Sequence, residues 1–169
     1  ADLLRAALKE APKKVRVLFS AHGLPEKIVK GGDPYQHHCE QTAAAIVQHL
    51  NMPLLDWKMC YQSRVGPLKW IGPSTLEALE VAADDQIGVL VYPLAFVSEH
   101  VETLVEIDIE YRARAERMGI PYFAKVPTVG THPKFIGGLR DLALSATKGE
   151  TRARFCPPRF KKCYCEKKG

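Results

Sequence analysis

The chain has 169 residues, 46% hydrophobic and 25% charged, an ordinary globular composition with enough length to bury one good core. No apolar run reaches the roughly 18 residues that span a bilayer, and ADLLRAALKEAPKK at the start lacks the apolar core of a signal peptide, so Ala1 reads as a processed or excised start. The net charge of +5 is uneven: residues 148–169 hold eight Lys or Arg against two Glu and carry +6, while 16 basic and 17 acidic residues leave residues 1–147 at −1.

A basic tail without a helix-turn-helix, zinc-finger or RNA-recognition signature is a weak footprint, so nucleic acid is not an expected partner. The first β-rich run is VRVLFS (15–20), followed by DPYQHHCEQTAAAIVQHLN (33–51), a helix with Asp33 as cap and Pro34 at its first position. LLDWKMCYQ (54–62) is the second run, and PSTLEALEVAADD (73–85) is a helix with Ser74 and Glu77 at capping-box spacing. IGVLVYP (87–93) precedes the longest helical pattern, SEHVETLVEIDIEYRARAERMG (98–119), which closes at Gly119. PYFAKVP (121–127) and the helix HPKFIGGLRDLALSAT (132–147) complete a βαβαβαβα order. Two of the runs are apolar at nearly every position, as strands covered on both faces must be. The reading is one α/β, Rossmann-like domain over 1–147, with a four-stranded, mostly parallel sheet flanked by helices, and a basic cysteine-rich tail over 148–169.

Strand C-termini in such a sheet gather at one rim, where α/β proteins bind ligands. The loops there are AHGLP, QSRVGPLKWIGP, LAFVSEHVE and TVGTHP. A lone histidine such as His22 is more often a buried or capping residue, but a second histidine and several carboxylates on one rim reverse those odds. Glu102, Glu106 and Glu110 recur at i, i+4 and i+8, a spacing that costs roughly a few tenths of a kcal/mol per like-charged pair, with Arg114 the basic partner of Glu110. That row reads either as a solvated acidic face or as a line of oxygen ligands and proton acceptors leading to the rim. His100 lies about 200° from Glu102 on a regular α-helix, so the two share a cleft only if His100 is still in the loop or a π-turn intervenes. No glycine-rich phosphate fingerprint follows any strand, and Leu68, Trp70 and Ile71 between prolines form a stiff apolar lip suited to a flat hydrophobic ligand.

SAHGLP, CYQSRVGPLKWIGPST and SEHVETLVEIDIEY resemble, in that order between Val15 and Gly130, the matching segments of ferrochelatases, the enzymes that insert ferrous iron into protoporphyrin IX. The resemblance implies that this chain is the second of two Rossmann-like halves, with the porphyrin cleft and the N-terminal half as its partner surfaces. It implies His22 and Glu102 as catalytic residues, with His22, His100, Glu102, Glu106 and Glu110 on the path of iron and protons. It places Leu24, Pro25, Gln62, Ser63 and Trp70 against the porphyrin. Which of His22 and Glu102 takes the protons stays open, as do peripheral membrane contact, another tetrapyrrole or metal as substrate, and a non-catalytic metal- or haem-binding module.

Five cysteines, an odd number, with no secretory signal point to a reducing, cytoplasmic compartment and to thiols kept for metal or redox work. Cys156, Cys163 and Cys165 form C-x6-C-x-C among Arg and Lys residues, whose charge favours the metal-binding thiolate. A zinc site on three thiolates is the main rival reading. The resemblance implies a [2Fe-2S] cluster on these three, its fourth ligand supplied by the other half. Cys39 and Cys60 read as small buried hydrophobes. So little apolar sequence accompanies the tail that weak anchoring is expected.

Overall fold

The computed structural model describes residues 1–150 and 156–163. Four strands, β1 (Val15–His22), β2 (Trp57–Gln62), β3 (Gly88–Pro93) and β4 (Phe123–Lys125), form one sheet in the order β2-β1-β3-β4, all neighbours parallel. The chain leaves β1 towards one edge and β3 towards the other, so the topological switch point lies between the ends of β1 and β3. His22 stands at the end of β1, beside it.

Alternation along the strands splits the core in two. Val17, Phe19, Ala21 and Leu90 face α1 (Asp2–Glu10) and α3 (Tyr35–Leu50), meeting Leu4, Cys39, Ala43 and Leu50. Leu18, Val89 and Val91 face α4 (Thr75–Asp84) and the segment 106–117, meeting Leu79, Ile107, Tyr111 and Ala115. Each large apolar side chain so buried contributes roughly 1.5–3 kcal/mol. At the opposite end of the sheet the Arg16 guanidinium joins Asp56 and Asp85, tying the start of β1 to the residue before β2 and to the end of α4.

The expected elements are present with shifted bounds: β1 runs on past residue 20 to His22, β2 begins at Trp57 rather than at residue 54, and β4 keeps three residues of the expected seven. Helix α3 starts at Tyr35 with Pro34 in the cap position, one residue later than expected, while the Asp33 carboxylate accepts the Tyr35 N–H at 2.9 Å; Ser74 and Glu77 form a complete capping box. Two short helices, α1 and α2 (Glu26–Lys30), were not foreseen. The largest departure is in the long helix, which divides into α5 (Val101–Leu104), a π-helix (Glu106–Tyr111) and α6 (Arg112–Arg117). The last helix, α7 (Pro133–Thr147), buries none of its residues and leaves Ile136, Leu139, Leu142 and Leu144 exposed. Among the described residues no helix is long and apolar enough to cross a membrane.

Candidate active site

The rim is built outward from the end of β1. His22 is in register with Gln62 of β2, and its carbonyl accepts a hydrogen bond from the Tyr35 hydroxyl at 3.0 Å. The Gly23 N–H then donates to the Gln62 carbonyl at 2.7 Å. A Cβ on Gly23 would lie 3.0 Å from both that carbonyl oxygen and Arg64 Cγ, and 3.3 Å from the Trp70 ring. Glycine after the histidine lets the chain turn tightly against the neighbouring loop, where a side chain would press on the Gln62 carbonyl and on Arg64 and Trp70. The loops after β1 and β2 are stitched together by the Pro25–Trp70 bridge, by the Ile71 N–H to the Leu24 carbonyl and by the Glu26 N–H to the Lys69 carbonyl. Leu24, Pro25 and Trp70 thus share one wall, while Leu68 stands exposed at its lip. Trp70 Nε1 is buried and has no hydrogen-bond partner among the described residues.

His100 belongs to the loop. Its backbone is extended (φ −160°, ψ −170°), and its N–H donates to the Thr103 hydroxyl at 2.9 Å at the start of α5. This first of the two conditions for a shared cleft holds, and Glu102 bridges the two histidines: Oε1 lies 2.8 Å from His22 Nδ1 and Oε2 lies 3.1 Å from His100 Nε2. The three side chains are 36–45% exposed, open to solvent on the rim. A carboxylate only accepts, so His22 Nδ1 and His100 Nε2 carry the hydrogens. The lone pairs are left on His22 Nε2 and His100 Nδ1.

The acidic row does not survive as a stripe. The Val105 carbonyl accepts from both the Ile109 and Glu110 N–H groups at 3.0 Å, and this wider turn opens the π-helix. Glu106 turns inward, where its carboxylate accepts from Gln62 Nε2 (3.0 Å), the Ser63 N–H (2.8 Å), the Ser63 hydroxyl and the Tyr111 hydroxyl (2.6 Å). Burial first, then this hydrogen bond and the Glu106 charge, push the Tyr111 phenol well above its ordinary range. Ser63 reaches Glu106 from a left-handed backbone (φ +58°), which costs a non-glycine residue about 1 kcal/mol. Glu110 is exposed on the outer side and makes no ion pair with Arg114, contrary to expectation.

Gln62 also takes a different place from the porphyrin contact anticipated for it. Its side chain is 1% exposed, donates to the Glu102 carbonyl and to Glu106, and accepts from the Ser20 hydroxyl, which in turn meets Thr75. It supports the site from beneath. Tyr35, Tyr111, Ser20 and Thr75 were missed, as was Lys125, which ties Glu99 and Asp108 together and bonds the Thr103 carbonyl. Tyr111 lies five residues after Glu106, a pairing that 3.6-residue periodicity conceals.

Among the described residues no three His, Cys, Asp or Glu groups form a ready metal cage. Cys39 and Cys60 are buried as expected, and burial pushes the Cys60 thiol up to about 11. Cys156 and Cys163 are buried, 4% and 2% exposed, and pack with Phe160 in a small separate cluster; Cys165 lies outside the described residues.

This rim can be compared with known proteins. The ferrochelatase family model matches residues 1–147. The chain belongs to the ferrochelatase family. It is 43% identical over 173 residues to a ferrochelatase of Rickettsia felis, covering 98% of this chain and 50% of that protein. It is 53% identical over 141 residues to one of Caulobacter vibrioides, covering 82% and 40%. A third, from Rickettsia canadensis, is 45% identical over 164 residues, covering 92% and 47%. The chain thus spans about half the length of the curated relatives it matches.

Proposed function

We propose that the intact protein inserts ferrous iron into protoporphyrin IX to form protohaem, with this chain supplying one half of the cleft. The observation that carries the reading is Glu102 held between His22 and His100 at the switch point of a ferrochelatase-family domain. Metallation releases two pyrrole N–H protons and exchanges the water around Fe²⁺ for four ring nitrogens. His22 Nε2 takes a pyrrole proton, and Glu102 on Nδ1 stabilises the imidazolium that forms. His100, on the other carboxylate oxygen, gives a second imidazole lone pair for the second proton or for the incoming iron. Glu106, saturated by donors, fixes the loop after β2 and so the wall of Leu24, Pro25 and Trp70 against which the macrocycle lies.

The N-terminal half is the partner: α7 presents exposed apolar side chains that none of the described residues buries, which suits a second folded half. Cys156 and Cys163 fit a metal group, being buried and close in sequence to Arg159, Lys161 and Lys162. Cys156, Cys163 and Cys165 would hold a [2Fe-2S] cluster, a one-electron centre, completed by a ligand from the other half. The free thiols of Cys39 and Cys60 suit a reducing compartment, the cytoplasm.

The test is His22→Ala and Glu102→Gln in the intact protein, followed by the absorbance of metalloporphyrin formed from protoporphyrin and Fe²⁺. Each should lower turnover 100-fold or more while thermal midpoints stay within a few degrees. Turnover within a few fold of wild type overturns the assignment.

A further inference from the structure

The cysteine segment is not a loose tail. Contrary to the expectation of weak anchoring, residues 156–163 are docked on the α2–α3 corner. The Lys162 N–H donates to the Gly32 carbonyl at 3.1 Å. The His37 ring stacks on Phe160 with centroids 5.0 Å apart and planes 27° from parallel, and the Arg159 guanidinium lies 4.8 Å from the same ring. Gly32 sits at φ +95°, where a Cβ would approach the Lys161 nitrogen to 3.0 Å, so the corner accepts the segment only with glycine there. At the centre of the contact His38 Nε2 is 3.0 Å from Cys156 Sγ.

We infer that His38 is the positioning residue of the cysteine site: its Nε2–H donates to the Cys156 sulfur, and with His37 and Gly32 it forms a seat that holds Cys156 and Cys163 in place for metal. The inference rests on the reading of these cysteines as metal ligands and adds the residues of the main domain that orient them. A thiolate accepts hydrogen bonds and has no proton to give, so with Cys156 in its ligating form the donor in this contact is the imidazole. A hydrogen bond to a ligating sulfur lowers the charge density on the metal group, raising its reduction potential, and holds the sulfur in the rotamer the metal needs. No counterpart of this role was visible in the sequence, where His38 is one more polar residue on a helix 118 positions from its partner.

The experiment uses the intact protein and its His38→Ala, His38→Gln and Gly32→Ala variants, after circular dichroism has shown that each is folded. Iron and acid-labile sulfide in the wild type decide the cluster reading by themselves: neither present, or zinc in their place, refutes the cluster. The seat is judged separately, on whatever metal the wild type carries. His38→Ala should shed it under chelator 10–100-fold faster, the usual penalty for losing an outer hydrogen bond to a ligand. His38→Gln, which keeps an N–H donor, should recover part of that loss. If the metal is a cluster, its potential should fall in His38→Ala. The metal-free protein gives a readout that needs no metal at all: iodoacetamide should alkylate Cys156 several-fold faster in His38→Ala and Gly32→Ala than in wild type. Unchanged alkylation and unchanged metal retention in His38→Ala overturn the seat, whether the wild type holds iron, zinc or nothing.

Discussion

The outer trio and the inner collar of the rim use the same residue types for opposite ends. His22, Glu102 and His100 hold one another and little else, with more than a third of each side chain exposed. Directly behind them Glu106 takes four donors, and Lys125 sits between Glu99 and Asp108 with its own side chain only 9% exposed. A carboxylate that still has open coordination directions and a histidine with a free lone pair can exchange protons or meet a cation. A carboxylate whose acceptor sites are filled by rigid donors can only hold a loop. The proposed function accordingly draws its reactivity from the first group and its positioning from the second.

The sharpest way to break that contrast is Glu106→Gln in the intact protein. The amide NH₂ would face donors from Gln62, Ser63 and Tyr111, leaving groups that now donate to a carboxylate without an acceptor. A loss of about 2 kcal/mol in urea denaturation is expected, the usual cost of stranding partly buried donors. Activity should fall with it through misplacement of the β2 loop. If turnover falls while stability is unchanged, Glu106 belongs to the reactive group and the contrast fails.

A smaller effect separates the collar from the trio by pH. Burial alone would raise the Glu99 carboxyl, but the hydrogen bond from Lys125, those from Thr103 and the Thr128 N–H, and the Lys125 charge hold it at about 2 against an ordinary 4.5. A carboxyl with a depressed folded-state pKa contributes stability that is complete above the unfolded value and disappears as pH falls through the folded one. The urea midpoint should therefore fall between pH about 4.5 and 2, and Glu99→Gln should flatten that fall. Equal slopes in the two proteins would show that Glu99 is not tied as the structure places it.

Much of this was legible before any coordinates, for reasons that differ from element to element. The alternation of β-rich runs and amphipathic helices gave the parallel sheet because burial on both faces leaves continuous apolar runs such as IGVLVYP. Loops after parallel strands converge, which put His22 and the acidic row on one rim, and the family resemblance singled out Glu102 from that row; their 2.8 Å contact crosses 80 residues of chain. A π-turn was considered only between His100 and Glu102, and the π-helix at Glu106–Tyr111 was hidden because helix propensity and periodicity carry no record of a turn with one extra residue. That single shift moved Tyr111 onto Glu106 and carried Glu110 outward. Gln62 was set against the porphyrin by the family resemblance alone; a motif carries no record of what covers a residue, and here Gln62 is buried under the Glu102 carbonyl.

The smallest expected effect is also the most discriminating for the acidic row. Glu110 shares spacing and charge with Glu102 and Glu106, so a row acting as one track would make all three matter. The structure breaks the row at the Val105 carbonyl and leaves Glu110 exposed, without the Arg114 contact its spacing suggested. An exposed side chain that makes no such pair contributes within about 0.5 kcal/mol to stability. Glu110→Gln should thus leave the urea midpoint and metalloporphyrin formation within about two-fold of wild type, because the charge it removes is already screened by water. A ten-fold fall in turnover at low Fe²⁺ that is recovered at high Fe²⁺ would place Glu110 on the route of the cation. Iron would then reach the rim along the outer side of the π-helix, and the collar would be part of the path as well as its support.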